Sequence, residues 1–140
     1  MPGHTAATRA PSVDRAPAAR RTGRPPEETF PEAARAALLE CAALMDDTSR
    51  RRLIRVMLAE PALTARWLAA GRQGQDRLVP VIASRVAADE SALQPRLLAG
   101  LLVNASTTAV EYWAEHEDAG ALDAVTAQAF EAAVRALGAA

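Results

Sequence analysis

The chain contains no lysine, so all 16 of its basic residues are arginine, and it has one cysteine, Cys41. A single cysteine excludes an intramolecular disulfide framework and a cysteine-built metal site, and fits a reducing, cytoplasmic compartment. Aromatic residues make up only 4% of the sequence. Apolar volume must therefore come from leucine, valine and alanine, a composition that favours helices over sheets. The longest apolar runs, residues 97–105 and 78–82, fall well short of the roughly 18 residues a membrane span needs. Arg20 and Arg21 are followed by Gly23, Arg24, Pro25, Pro26 and Glu27 where a signal peptide would be apolar. Strings of the HExxH, Walker, GxGxxG and GxSxG types are lacking, and the histidines are His4 and His116 alone. The sequence thus reads as a non-enzyme with no cofactor and no metal site.

Half of the residues are hydrophobic, enough for one compact domain. Residues 1–26 carry Pro2, Pro11, Pro17, Pro25 and Pro26, and Arg9, Arg15, Arg20, Arg21 and Arg24 against Asp14 alone. Lacking large apolar residues, this segment cannot repay its ordering entropy and is expected to be a disordered basic tail. Its arginines have no interleaved aromatics, which argues against sequence-specific nucleic-acid binding. Residues 27–140 form the predicted folded unit.

That unit reads as helical throughout. Thr29 and Glu32 make a capping box, followed by Phe30, Ala34, Leu38, Cys41, Ala42 and Met45 on one apolar face. Cys41 is accordingly expected to be a small core residue. Asp47 or Thr48 caps a second helix with Leu53, Ile54, Met57 and Leu58 as its buried stripe. Arg50, Arg51, Arg52 and Arg55 flank that stripe as a solvated or salt-bridged face. Pro61 suits the first turn of a third helix, in which Gly71, Gly74 and Pro80 predict a bend or interruption. A fourth helix starts near Pro95 and runs to about Glu117. Gly120 breaks the chain, and a fifth helix occupies about 121–137 with Gly138 as its C-cap.

The fourth helix is apolar nearly all round, which implies burial on two sides. Leu97, Leu98, Leu101, Leu102, Ala105, Thr108, Ala109 and Tyr112 cover one side, assigned to the domain's own core. Ala99, Val103, Ser106 and Val110 cover the other, assigned to a second copy of the chain. On the fifth helix, Val125, Ala129, Ala132 and Ala136 make a small-residue ridge that would complete a four-helix dimer interface. Asn104, Thr107 and Glu111 share a ridge between these sides. They either hydrogen-bond among themselves, to the backbone or across the dimer, or supply the few polar contacts of an apolar ligand pocket. His116, among Glu115, Glu117 and Asp118, reads as a solvated helix end.

Three strings, GRPPEETFPEAARAALLE, RRRLIRVMLAEPALTARWLA and LQPRLLAGLLVNASTTAVEYW, resemble the C-terminal domain of TetR-family transcriptional regulators, in particular the mycofactocin-system regulator (MftR) branch. The resemblance implies an all-α antiparallel bundle of about five helices. It also implies dimerisation through the last two long helices and a ligand cavity enclosed by the others. Two departures stand out: Gly71 and Gly74 in a helix that is usually continuous, and the missing N-terminal helix-turn-helix unit, for which residues 1–26 are too short and too proline-rich. The reading is then an effector-sensing domain for a small apolar ligand, without a DNA-binding head in this chain. It forms a homodimer, or a mixed dimer with a full-length regulator. Met57, Trp67, Leu101, Asn104, Thr108 and Tyr112 are the candidate pocket residues, in packing and orienting roles. The alternative is a helical interaction module or regulator remnant with no ligand.

Overall fold

The structure, a computed structural model, describes residues 28–138, so the expected tail at 1–26 lies outside the described residues. Among the described residues five α-helices follow one another: α1 (Phe30–Met45), α2 (Thr48–Leu58), α3 (Pro61–Arg85), α4 (Leu93–Glu115) and α5 (Leu122–Gly138). A single 3-10 turn, Glu117–Ala119, precedes α5, and no strand occurs among the described residues. The fold is all-α, as the composition predicts. No helix among the described residues is long and apolar enough to cross a membrane.

The helix starts follow the sequence signals closely. Thr29 Oγ1 accepts from the Glu32 N–H at 3.3 Å, while a Glu32 carboxylate oxygen accepts from the Thr29 N–H at 3.4 Å. The capping box therefore satisfies two of the donors that a helix start leaves orphaned. Asp47 caps α2 by accepting from Ser49 and Arg50. Pro61 opens α3, and Pro95 sits in the first turn of α4, where a missing N–H costs no helical bond.

The expected interruption does not occur: α3 is one continuous element through Gly71, Gly74 and Pro80. Pro80 is exposed, so its ring is accommodated toward solvent, while α3 packs along α4 more extensively than any other helix pair. That packing outweighs the cost of about 3 kcal/mol for an interior proline. The helix ends in a Schellman-type turn: Ala88 N–H donates to Ala83 O at 2.9 Å, and Ala87 takes φ of 55°. In the loop that follows, Ser91 donates twice to Asp89, holding that carboxyl below the usual carboxylate range.

α4 is the central helix. It packs against α3, α5 and α2 and touches α1, while α5 also lies along α1. The core is built on Ala42, Ile54, Ala109, Val110, Trp113, Ala114, Leu122 and Val125, with Met45, Met57, Leu58, Trp67 and Ala129 packed around it. Alanines at the contacts let the helix backbones approach closely. Trp113, at 1% exposure, supplies the largest buried volume.

Two expectations about α4 and α1 are corrected here. The side of α4 assigned to a second copy points into the chain's own core: Ala99 is 0% exposed and Val110 is 4% exposed, and Val125 of α5 is buried with them. Cys41 is exposed rather than buried. The buried residues of α1 are Ala33, Ala34 and Ala42, a narrower strip than the apolar periodicity of that helix suggests.

Candidate functional site

At 100° per residue, Leu97, Leu101, Asn104, Thr108 and Tyr112 fall within an arc of about 80° on α4. All five are exposed. Leu97 is 55%, Leu101 39% and Tyr112 50% accessible, and Leu93 at the start of the helix is more open still. The centre of the opposite arc holds Pro95, Ala99 and Trp113, all buried. A stripe of large apolar side chains along a helix whose other side is already packed is an unpartnered surface of the kind that marks an interface. Of the eight residues predicted for the dimer seam, Ala99, Val110 and Val125 are therefore internal. Val103, Ser106 and Ala129 are half-buried, and Ala132 and Ala136 are exposed on α5.

The six predicted pocket residues do not come together. Met57 and Trp67 are half-buried against the core cluster. Leu101, Thr108 and Tyr112 lie on the outward stripe instead. Asn104 alone among them lines a cleft of about 160 Å³ between α3 and α4, open on one side. Gly71 and Gly100 form part of its walls from the two helices, together with Leu68, Val103 and Gln75. Arg72 and Thr107 complete the lining. A Cβ placed on Gly100 would come 3.1 Å from Gln75 Nε2, so the absence of a side chain there leaves the Gln75 amide its room. Thr107 was visible in the sequence as a polar partner of Asn104. The α3 side of the cleft was not, because Gly71 reads locally as a helix breaker rather than as a hollow facing α4.

Both ends of the α4–α5 connection are held by charged side chains. Arg51 Nε donates to Trp113 O at 3.0 Å and its Nη2 to His116 O at 2.6 Å; Arg55 Nε donates to Ala114 O at 3.0 Å. These carbonyls belong to the end of a helix, where four have no intrahelical partner, and a guanidinium also complements the negative end of the dipole. Arg51 lies over the Trp113 ring at 5.0 Å, a cation–π contact. Arg50 similarly donates to Leu44 O at the end of α1. Across the same connection, Asp46 accepts from the Leu122 N–H at 2.8 Å, supplying α5 with its cap. The arginine-rich segment is thus partly a clamp: Arg50, Arg51 and Arg55 bond helix-end carbonyls, Arg50 and Arg55 from exposed positions, whereas the exposed Arg52 makes no such bond.

His116 stacks on Tyr112 with ring centroids 3.9 Å apart and an interplanar angle of 14°. Its Nδ1 lies 2.9 Å from Tyr112 O; a carbonyl only accepts, so Nδ1 carries the proton of this bond. Glu117 is engaged by Arg55 at 3.0 Å. Among the described residues, no cluster of three or more His, Cys, Asp or Glu side chains could hold a metal ion.

The outward stripe and the helical frame behind it are accompanied by a match to a known domain. The family model described as the MftR C-terminal domain matches residues 31–138. No curated protein and no solved structure matches the chain. The matched segment takes in all five helices almost from end to end. The chain accordingly belongs to the MftR C-terminal domain family of TetR-type regulators.

Proposed function

We propose that this chain is the effector-sensing and dimerisation domain of a TetR-type regulator, acting by binding rather than by catalysis. The observation that carries the reading is the exposed Leu97, Leu101, Thr108 and Tyr112 stripe on α4, one of the two last long helices through which the resemblance implies association. Two copies meeting through this stripe would bury a surface that a monomer leaves to water. Leu101, Thr108 and Tyr112 are thus reassigned from pocket lining to the dimer face. Sensing falls to the flank of that stripe which turns toward α3, where Asn104 lines the α3–α4 cleft with the polar Arg72, Gln75 and Thr107 and the apolar Leu68 and Val103. A small, mainly apolar molecule seated against α3 would bias the angle between two α4 helices by its differential affinity for two dimer states.

Association and folding are linked by mass action, so the melting temperature of a dimer rises with protein concentration. Raising the chain from about 1 to 100 μM is expected to increase its melting temperature by several degrees. A melting temperature independent of concentration, together with a monomer mass in light scattering, would remove the dimer half of this reading. A panel of small apolar compounds addresses the sensing half, and a domain melting unchanged with all of them would favour an interaction module without a ligand.

A further inference from the structure

We infer that the α3–α4 cleft is a subsite for a small organic carboxylate, with Arg72, Asn104 and Thr107 on the carboxylate and Leu68 and Val103 against its apolar part. The inference deepens the sensing reading above and rests on it. Three features of the cleft lead to a carboxylate.

The first is its donor set. Arg72 supplies a guanidinium, Asn104 an amide and Thr107 a hydroxyl, and the residues that line the cleft include no carboxylate. None of these three side chains makes a hydrogen bond or ion pair among the described residues. The nearest acidic groups along the two helices are Asp76, one turn beyond Arg72 and exposed, and Glu111, one turn beyond Thr107 and half-buried. By contrast Arg51 and Arg55 are spent on helix-end carbonyls, and Arg35 on Glu131. A planar guanidinium with two neutral donors beside it matches the two oxygens of a carboxylate.

The second feature is size. A cleft of about 160 Å³ is close to the roughly 150 Å³ cavity that accommodates benzene in an engineered protein core. It is too small for the 300–1,000 Å³ typical of sites that enclose a drug-sized molecule. Because the cleft opens to solvent, this volume bounds the part of the occupant seated in it, which is one ring or a short chain bearing the acid.

The third is how the space is made. A Cβ on Gly71 would lie 3.6 Å from Val103 Cγ1, an ordinary contact, so the residue is not glycine because the helices collide there. Glycine in the middle of α3 is unfavourable for the helix, and what it leaves is volume facing Val103. Leu68, one turn before Arg72, adds an apolar side chain to the same cleft.

The test uses the full chain, labelled with 15N, and benzoate as the probe, with benzyl alcohol as its neutral counterpart. Saturable shifts of the Gly71, Gly100 and Thr107 amides with benzoate are expected, with benzyl alcohol at least tenfold weaker. Arg72→Gln should weaken benzoate at least tenfold while leaving the spectrum folded. Gly71→Ala fills the hollow without a clash and improves helix propensity, so it should raise the melting temperature and still weaken benzoate. Absence of shifts at the cleft would overturn the inference. Equal binding of benzoate and benzyl alcohol, unchanged binding by Arg72→Gln, or inorganic phosphate binding as tightly as benzoate would do the same. Mass measured by light scattering on the same samples keeps the two readings apart. A dimer that melts higher with other small molecules but ignores benzoate removes only the carboxylate subsite. A monomer that binds benzoate at the cleft removes only the dimer.

Discussion

Ala87 shows how one residue can carry a cost that the rest of the domain absorbs. With φ of 55° it occupies the left-handed region, where a Cβ meets the following carbonyl. Its neighbour's 2.9 Å bond from Ala88 to Ala83 O holds it there. Ala87→Gly should therefore stabilise the domain by about 1 kcal/mol, read as a higher urea midpoint with an unchanged slope. Arg51 is the opposite case, since one side chain serves two carbonyls and an indole face. Arg51→Ala should cost about 2 kcal/mol, and Arg51→Lys should recover less than half of that, because an ammonium lacks the guanidinium fork. Arg52→Ala, at an exposed position, should stay within about 0.5 kcal/mol by the same urea measurement. The sequence alone could not separate these arginines. Four basic residues on one short helix read as a flank, and only the arrival of the α4 end beside α2 distinguishes Arg51 and Arg55 from Arg52.

Among the helices, existence and starts were legible because caps and prolines act locally. Thr29 with Glu32 and Asp47 fix their helix starts through bonds within one turn, Pro61 does so through its restricted φ, and each stands where the sequence puts it. The cap of α5 was not legible, since its acceptor comes from Asp46 at the far end of α1. Asp46→Ala should remove that bond and destabilise the domain by about 1 kcal/mol, with Asp46→Asn restoring most of it in thermal melts. The orientation of α4 is the larger lesson. A helix apolar all round has no single moment to say which side is inside, and small residues such as Ala99 suit a core as well as an interface. Two features do point the right way. Trp113 and Pro95 share the arc of Ala99, and Asn104, Thr108 and Glu115 share the arc of Leu97 and Leu101, so bulk and polarity fall on opposite sides. The small-residue side is internal because α3, α2 and α5 of the same chain already close on it.

At the level of the whole molecule, this reversal divides the two proposed functions between neighbouring flanks of α4. The stripe of Leu97, Leu101, Thr108 and Tyr112 faces outward, where a second copy is proposed, and Gly100, Val103 and Thr107 line the cleft toward α3, where a ligand is proposed. The cleft was half legible: Asn104 and Thr107 stood out as polar residues on an apolar helix, while Gly71, Arg72 and Gln75 come from α3 and enter only through tertiary packing. The central claim is the outward stripe, and light scattering on two charge substitutions tests it most directly. Leu101→Arg doubles by two-fold symmetry, placing unpaired charges in one apolar seam, while in a monomer it merely replaces an exposed leucine. Val110→Arg buries its charge inside the chain itself. The account predicts a dimeric wild type, a Leu101→Arg monomer with undiminished helical circular dichroism, and a Val110→Arg chain that loses helicity or aggregates. A Leu101→Arg protein that remains a dimer, or a Val110→Arg protein that is a well-folded monomer, would contradict it.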